Sequence, residues 1–598
     1  VTNVLASQNP TATNRRLLSG NEAIALGAWE AGVAVGCGYP GTPSTEILEA
    51  LFEYPDLYCE WSVNEKVALE VGLGAALAGG RALVTMKHVG VNVAADPLFT
   101  AAYTGVNAGL VIVTADDPSM HSSQNEQDNR HYAIAAKIPM FEPSDAAEAL
   151  EFTKAAFEMS EAYDTPVFLR TTTRLSHSKS VVEVADPATV ERPRHERGFT
   201  KNPAKYVMIP GNARGRRVVV EEHLRALAEV AETHPANRIE SLPGRVADTT
   251  VTAGAGSTRV GVITSGVPYT YVREAFENAP GGPIAVDILT LGIVHPLPRR
   301  MIEEFARTHD TVYVVEELDP VIETQVRSWG IGAPGSGTRL IGKDAFPSIG
   351  EFSAEVVRAG LGLGAPAAEG SRVAPALAVP PRPPVLCAGC PHGHVYAALR
   401  DKGMVVSGDI GCYSLGVLPP YNAMDTLVDM GASITMAHGM DAVLGHDPAR
   451  PTIAAVIGDS TFAHSGLTGL LNACWNKRDG LYIVLDNGTT AMTGTQPNPL
   501  SGERMGREDA WALSYPYLAK AFGIPDENFA QVDAHDRAAV TATIDELADR
   551  RGVRLLAVVG LCVIEAKELS KAGKLEDKRE DRRLVHLPLI DVGGPGRG

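Results

Sequence analysis

Residues 453–496 constrain this chain more than any other stretch. Ile453-Ala-Ala-Val-Ile457 reads as a buried strand, and Gly458-Asp459-Ser460 follows it. A helix-like run to 476 leads into a second apolar strand, Tyr482-Ile-Val-Leu485, and then Asp486-Asn487-Gly488. Two continuously apolar strands joined by a helix form a parallel βαβ unit. Both polar clusters then fall just past a strand's carboxyl end, where open α/β sheets place ligands. Asp459 and Asn487 are 28 positions apart, one crossover, so the fold can set them side by side. A carboxylate and an amide oxygen, with a loop carbonyl, suit an oxygen-preferring cation such as Mg²⁺, which keeps its other positions for a diphosphate. Gly458 would let the backbone approach the phosphates closely. The same residues also read more plainly, Asp459 as a helix cap and Asn487 as a turn residue.

At 598 residues the chain is expected to hold several domains. The first 15 residues are polar and read as disordered. From 16 to 195 the pattern is α/β. Helices are expected at 22–31 and 66–78, and strands at 33–37, 82–85, 110–114 and 166–170. Ser44 is the expected N-cap of a helix after the turn Gly38-Tyr-Pro-Gly-Thr42-Pro-Ser, and 86–92 reads as a loop. Residues 196–257 read as a charged linker or extension with one helix, 219–232. A further α/β domain spans 258–363, with strands near 284–289 and 311–316, and an Ala/Pro-rich linker fills 364–384. The last domain, 385–570, contains the opening stretch, and 571–598 is a charged tail.

A net charge of −18 argues against a nucleic-acid surface. No apolar run reaches membrane-spanning length, and the N-terminus lacks a secretory segment, so a cytoplasmic location is expected. Seven cysteines are too few for a disulfide scaffold. Cys387 and Cys390 form a CxxC, Cys412 follows 22 residues later, and Cys562 ends a late strand. Four thiolates in one α/β domain can hold a [4Fe–4S] cluster or a tetrahedral zinc. Cys562 also reads as a core thiol, as do Cys37, Cys59 and Cys474 in their apolar surroundings.

Three blocks together resemble one family. They are Tyr39-Pro-Gly-Thr-Pro-Ser-Thr-Glu46 with Asn64-Glu65-Lys66 and Met86-Lys-His-Val-Gly-Val-Asn-Val-Ala-Ala-Asp-Pro97; Cys387-Ala-Gly-Cys390-Pro-His with Ser407-Gly-Asp-Ile-Gly-Cys412-Tyr; and Gly458-Asp-Ser through Thr493-Gly494. The chain looks like the large subunit of a 2-oxoacid:ferredoxin oxidoreductase, most similar to the indolepyruvate type, over about 17 to 565. The resemblance implies an α/β multidomain thiamine-diphosphate fold: a pyrimidine-binding domain, a middle transketolase-C-terminal-like domain and a diphosphate-binding domain. It implies Mg²⁺ on Asp459, Asn487 and the carbonyl of Thr489, with Gly458 and Ser460 in the cofactor-binding loop. Glu65 matches the carboxylate that meets the ring nitrogen of the cofactor, though it also suits a helix N-terminus. Thr42 falls near the reacting centre, and Lys87 and His88 are candidates for the substrate carboxylate. For His88 a structural hydrogen bond is an equal reading.

The resemblance favours the [4Fe–4S] cluster over zinc on Cys387, Cys390, Cys412 and Cys562. It implies an arylpyruvate substrate, coenzyme A as co-substrate and a ferredoxin-like acceptor. It also implies a small β subunit carrying a third domain, and pairing of two copies of this chain. No cysteine follows Cys562, so the ferredoxin-like module of close relatives is expected to be absent. The alternatives are a non-oxidative thiamine-dependent decarboxylase, which needs no cluster, and a catalytically silent assembly subunit. The middle domain carries no thiamine block and reads as structural.

Overall fold

The computed structural model describes residues 15–185, 190–193, 197–245, 259–363, 384–445, 451–506 and 511–576. The polar N-terminal residues to 14, nearly all of the Ala/Pro linker and the tail from 577 lie outside them. The chain divides into two compact units, Val1–Ala374 and Pro375–Gly598. Among the described residues no helix is long and apolar enough to cross a membrane.

Among its described residues the first unit is built on two main sheets. Seven strands run in the order Ile293–His295, Met140–Phe141, Val167–Thr172, Leu110–Asp116, Ala82–Lys87, Val35–Gly38 and Tyr58–Trp61. All neighbours are parallel except Ile293–His295 against Met140–Phe141. Strands Ala82–Lys87, Leu110–Asp116 and Val167–Thr172 are buried along their whole length. Helices cover both faces, and the unbroken apolar runs follow from that. Strands therefore extend beyond the sequence expectation at their polar ends, through Lys87, Asp116 and Thr172. The residues expected to loop over 86–92 instead finish a strand and open the helix His88–Val93.

The second sheet has the order Arg339–Ile341, Thr311–Val315, Val260–Ser265, Val286–Leu291 and Asn237–Leu242. Its edge strand Asn237–Leu242 pairs antiparallel with Val286–Leu291 and comes from the stretch that reads as a linker. Its two apolar residues, Ile239 and Leu242, fall on opposite faces, with Ile239 exposed and Leu242 buried, so no alternating apolar face marks it as a strand. The helix there is also longer than expected, Pro210–Ala231, with proline at its start. Conversely, Ile293–His295, from the expected middle domain, joins the first sheet. The two sheets are thus knit by exchanged strands. Arg130 adds a buried tie, its Nη1 donating to Glu316 Oε2 at 2.6 Å and its Nη2 to Asp128 Oδ2 at 2.6 Å.

The second unit has one parallel sheet among its described residues. Its order is Val405–Ser407, Ile453–Gly458, Gly480–Asp486, Val553–Val559 and Phe529–Asp533. Ile453–Gly458 and Gly480–Asp486 are neighbours, with Gly458 opposite Leu485. The crossover between them is not a plain helix. Asp459–Thr461 opens it, a π-helical turn spans Phe462–Gly466, and Leu467–Trp475 completes it. Such π turns recur at functional positions in helices.

Candidate active site

In the second unit the two polar clusters meet at the carboxyl ends of neighbouring strands. Asp459, 2% exposed, accepts from the Gly488 backbone N–H at 3.1 Å and from Asn498 Nδ2 at 3.2 Å, both on Oδ2. Ser460 Oγ accepts from Thr490 Oγ1 at 2.9 Å. Asn487 Oδ1 accepts from the Thr489 N–H at 3.1 Å, an Asx turn, and Thr489 Oγ1 donates to Gln496 O at 3.2 Å. The plain turn reading of Asn487 is therefore realised. The cap reading of Asp459 is not: Gly458 occupies the cap position, and no side chain caps the helix. Asp486 steadies the loop from below, accepting from Gly488 N–H at 2.9 Å and from the Tyr515 hydroxyl at 3.0 Å. Sequence reasoning passes over Asn498 and Asp486. Asp486 is visible as the polar end of an apolar strand, whereas Asn498 carries no signal.

Gly458 has a reason unlike the one its sequence context implies. Its φ is −81°, open to any residue, but a Cβ there would lie 2.4 Å from Cε1 of Tyr413. The tyrosine ring fills the space that glycine leaves, and its hydroxyl donates to Ile410 O at 2.8 Å. The close approach in this structure is of an aromatic ring to the loop.

The same ring leads to the cysteines. His392 packs edge-on to Tyr413 at 6.1 Å between centroids, which joins the segments after Cys390 and Cys412. Pro391 abuts Gly560, where a Cβ would meet its own Cβ at 3.2 Å, and Gly389 faces Val563. The four cysteine segments thus gather in one place, and the Cys562 N–H donates to Asn487 O at 2.9 Å. The thiols also feel one another. Burial pushes Cys390 up to about 11, with Cys387 and Cys562 adding to it. Burial likewise pushes Cys412 up to about 11, with added pressure from Cys562, Cys390 and Cys387. Among the described residues no three His, Cys, Asp or Glu side chains stand at metal-holding geometry. The donors are neighbours without being drawn into a coordination shell. Their chemistry, four cysteine segments grouped beside the Asn487 loop, fits an iron–sulfur cluster or zinc, either of which would deprotonate the thiols. Cys37 is a core thiol donating to Ala68 O at 3.1 Å, while Cys59 and Cys474 are half-buried. The oxygen set of Asp459, Asn487 and the Thr489 carbonyl fits a hard cation.

In the first unit the expected residues cluster at the carboxyl ends of the central strands. Glu65, 5% exposed, is the first residue of helix Glu65–Leu77, capped by Asn64, whose side chain accepts from Val67 N–H at 2.9 Å. A Cβ at Gly90 would lie 2.7 Å from Glu65 Oε1, so helix His88–Val93 can lean on the carboxylate only through glycine. Thr42, half-buried, sits in the turn before helix Thr45–Phe52. That turn rests on Lys87, because a Cβ at Gly41 would be 3.1 Å from the lysine Cβ. Ser44 does not cap the helix as expected: its backbone is helical, and its hydroxyl turns back to donate to Gly41 O at 2.9 Å.

Lys87 is buried, and its Nζ donates to the Ser122 carbonyl. Burial lowers its pKa to about 8, against the opposing pull of Asp117. His88 is fully buried, 3.2 Å from Asn125 O through Nε2, and is held below its ordinary value by burial and by Lys87.

Residues 26–242 match the family "Pyruvate flavodoxin/ferredoxin oxidoreductase, thiamine diP-bdg" and residues 409–558 match "Thiamine pyrophosphate enzyme, C-terminal TPP binding domain". These matches span both loop sets and define a thiamine-diphosphate-dependent 2-oxoacid oxidoreductase chain. The protein is 40% identical over 606 residues to indolepyruvate oxidoreductase subunit IorA of Thermococcus kodakarensis, covering 97% of this chain and 89% of that one. It is 40% identical over 587 residues to the subunit of the same name from Pyrococcus abyssi, covering 94% and 88%. For the Archaeoglobus fulgidus IorA the identity is 41% over 526 residues, covering 85% and 80%. The chain belongs to the IorA family of indolepyruvate oxidoreductases.

Proposed function

We propose that this subunit carries out the oxidative decarboxylation of an arylpyruvate, such as indolepyruvate, with coenzyme A. The products are an acyl-CoA and CO₂, and an electron pair leaves through a [4Fe–4S] cluster to a ferredoxin-like acceptor. The observation that carries this reading is the bonded junction at Asn487. Its loop closes on Asp459 on one side and receives the N–H of Cys562 on the other. Thiamine diphosphate, when bound, would supply a nucleophilic ring carbon for the substrate carbonyl and a cationic ring that holds the electron pair freed with CO₂. Asp459, Asn487 and the Thr489 carbonyl would hold Mg²⁺, beside Gly458 and Ser460. Glu65 would hold a proton at the pyrimidine ring nitrogen. Lys87 would pair with the substrate carboxylate, with Thr42 at its side, and His88 would fix the backbone at Asn125. Cys387, Cys390, Cys412 and Cys562 would hold the cluster. The grouping of these four cysteine segments supports this reading over a non-oxidative decarboxylase.

A small partner protein of roughly 200 residues and a second copy of this chain would complete the assembly. The test is anaerobic co-expression with a candidate partner, followed by iron and sulfide analysis and a CoA-dependent acceptor assay on a panel of 2-oxoacids. The expected result is iron and sulfide with preference for arylpyruvates. Stoichiometric zinc without iron, or CoA-independent aldehyde release, would overturn the oxidative reading. Full CoA-dependent activity from the chain alone would remove the need for the partner.

A further inference from the structure

The loop after Leu110–Asp116 is held in a conformation that its own sequence does not favour. Ser119 and Met120 are consecutive non-glycine residues with φ of 70° and 52°. Backbone held in this region points to a surrounding structure that imposes it. What imposes it is Glu126 of the same loop together with a turn from the other sheet domain of the same unit. Glu126 Oε1 accepts from the Ser119 N–H at 2.6 Å and from the Gly350 N–H at 3.1 Å. Ser119 Oγ accepts from the Glu351 N–H at 2.7 Å. Gly350 has φ +87°, and a Cβ there would come within 3.1 Å of Ser119 Oγ, so glycine serves both the turn and the approach. Arg174, just past Val167–Thr172, closes the circuit with two bonds to Glu351, at 2.7 and 2.8 Å.

The inner end of this loop reaches Lys87. Asp117 Oδ2 accepts from the Ser122 N–H at 2.9 Å and from Ser123 Oγ at 2.5 Å, and its Oδ1 accepts from Thr173 Oγ1 at 2.7 Å. Asp117 is 2% exposed. The Ser122 carbonyl, thus fixed, accepts from the Lys87 ammonium.

We propose that the turn at Gly350–Glu351 is a clamp that fixes the 117–123 loop, and that Asp117 is the positioning residue through which the loop sets the Lys87 ammonium. The domain that reads as structural from sequence then takes part in building the substrate end of the site. The proposal rests on the reading that Lys87 meets the substrate carboxylate only where KM is the readout. Its other readouts do not depend on substrate.

The experiment uses the full chain with its partner and compares Glu351→Ala, Ser119→Ala, Asp117→Asn and Lys87→Met, with folding checked by circular dichroism. Hydrogen exchange at the Ser122 amide and acetic-anhydride labelling of Lys87 against pH are read by mass spectrometry. Kinetics with the 2-oxoacid are read alongside. Glu351→Ala and Ser119→Ala are expected to speed Ser122 exchange and Lys87 labelling. Asp117→Asn is expected to move the labelling midpoint of Lys87 to lower pH, because Asp117 is the charged group that raises it, while His88, held below its ordinary value, is neutral in that range. It is also expected to raise KM about tenfold with kcat within about threefold. Exchange and labelling unchanged in both clamp variants would overturn the proposal. So would a KM unmoved by Asp117→Asn where Lys87→Met raises it. If Lys87→Met itself leaves KM unchanged, the substrate role of Lys87 fails, and exchange and labelling decide the clamp separately.

Discussion

The two units bury much of their charge with different chemistry. In the first, charge is buried in quantity. Arg130 and Arg170 are each about 1% exposed. Arg130 binds Asp128 and Glu316 and also donates to the carbonyls of Glu317 and Asp319, at 2.9 and 3.0 Å. Arg170 binds Asp116 at 2.7 Å and Glu142 at 2.5 Å. In the second unit, backbone amides and neutral side chains hold the buried carboxylates. Asp409 accepts from the N–H groups of Gly431, Ser433 and Ile410. Asp459 accepts from Gly488 and Asn498, and Asp486 from Gly488 and Tyr515. A buried ion pair is unforgiving when one partner is lost. A carboxylate held by neutral donors keeps a negative field that a cation can still use. The difference points to a first unit built for rigid domain coupling and a second built to receive a positive charge.

The largest test of that contrast is Arg130→Ala. It would strand Glu316 without its paired guanidinium and leave Asp128 only Arg170, 3.7 Å away, and a loss of about 3–5 kcal/mol is expected in urea unfolding. A loss below about 1 kcal/mol would place the coupling elsewhere. Asp459→Ala should behave in the opposite manner. It is expected to weaken Mg²⁺-dependent thiamine-diphosphate binding by about 100-fold, measured by calorimetry, with little change in the melting temperature, since it removes a field rather than an ion pair. Glu65→Gln should keep binding and lower turnover by about 10²–10⁴-fold, because only a proton position changes. Near-normal turnover in Glu65→Gln would end the role given to that carboxylate. Gly458→Ala should cost about 1–3 kcal/mol by driving a methyl into the Tyr413 ring. Tyr413→Leu in the same chain should recover much of that loss. Recovered stability without recovered cofactor binding would show that the loop also needs glycine for the cofactor.

These expectations draw on features of unequal visibility in the sequence. The βαβ unit and its two polar clusters are legible because strand period, crossover length and strand-end position are local properties. The family blocks add Glu65, Cys387, Cys390 and Cys412, and Cys562 enters apart from them, as a thiol at the end of a late strand. The residue pattern ends strands too early at Lys87, Asp116 and Thr172, because polar residues normally close a strand and here are buried by the loops above them. Edge strand Asn237–Leu242 escapes notice because its two apolar residues are three positions apart and give no alternating face. Ser44 resembles a cap by residue type, yet the turn at Gly41 takes its hydroxyl. The contacts of Glu126, Gly350 and Asn498 are tertiary, with no periodicity or spacing to announce them.

The smallest effect expected is a pH dependence that separates the units. Glu317 is buried, and burial pushes its pKa up to about 7; the Phe352 N–H, at 2.6 Å, and Arg170 oppose that shift, while Glu351 and Glu142 add to it. Asp116 is also pushed up to about 7, by burial and by Asp128, against Arg170. An unfolded glutamate titrates near about 4.3. Between those values the folded chain therefore binds more protons than the unfolded one, so stability falls as pH rises and levels off above the folded value. Asp128, held low by Arg130 and Arg170 against burial, acts oppositely, and its contribution is lost only as pH falls below the ordinary carboxylate range. In the second unit Asp409 is pushed up to about 6 by burial, so its decline ends about there. Calorimetry across pH 4.5 to 8 should then show the first unit still losing stability between 6 and 7, after the second has levelled. Glu317→Gln keeps an oxygen for the Phe352 N–H and cannot ionise. It should flatten that upper part of the first unit's profile and gain roughly 1–2 kcal/mol at pH 8. An unchanged slope between pH 6 and 7 in Glu317→Gln would assign the decline to Asp116, which Asp116→Asn would then have to remove.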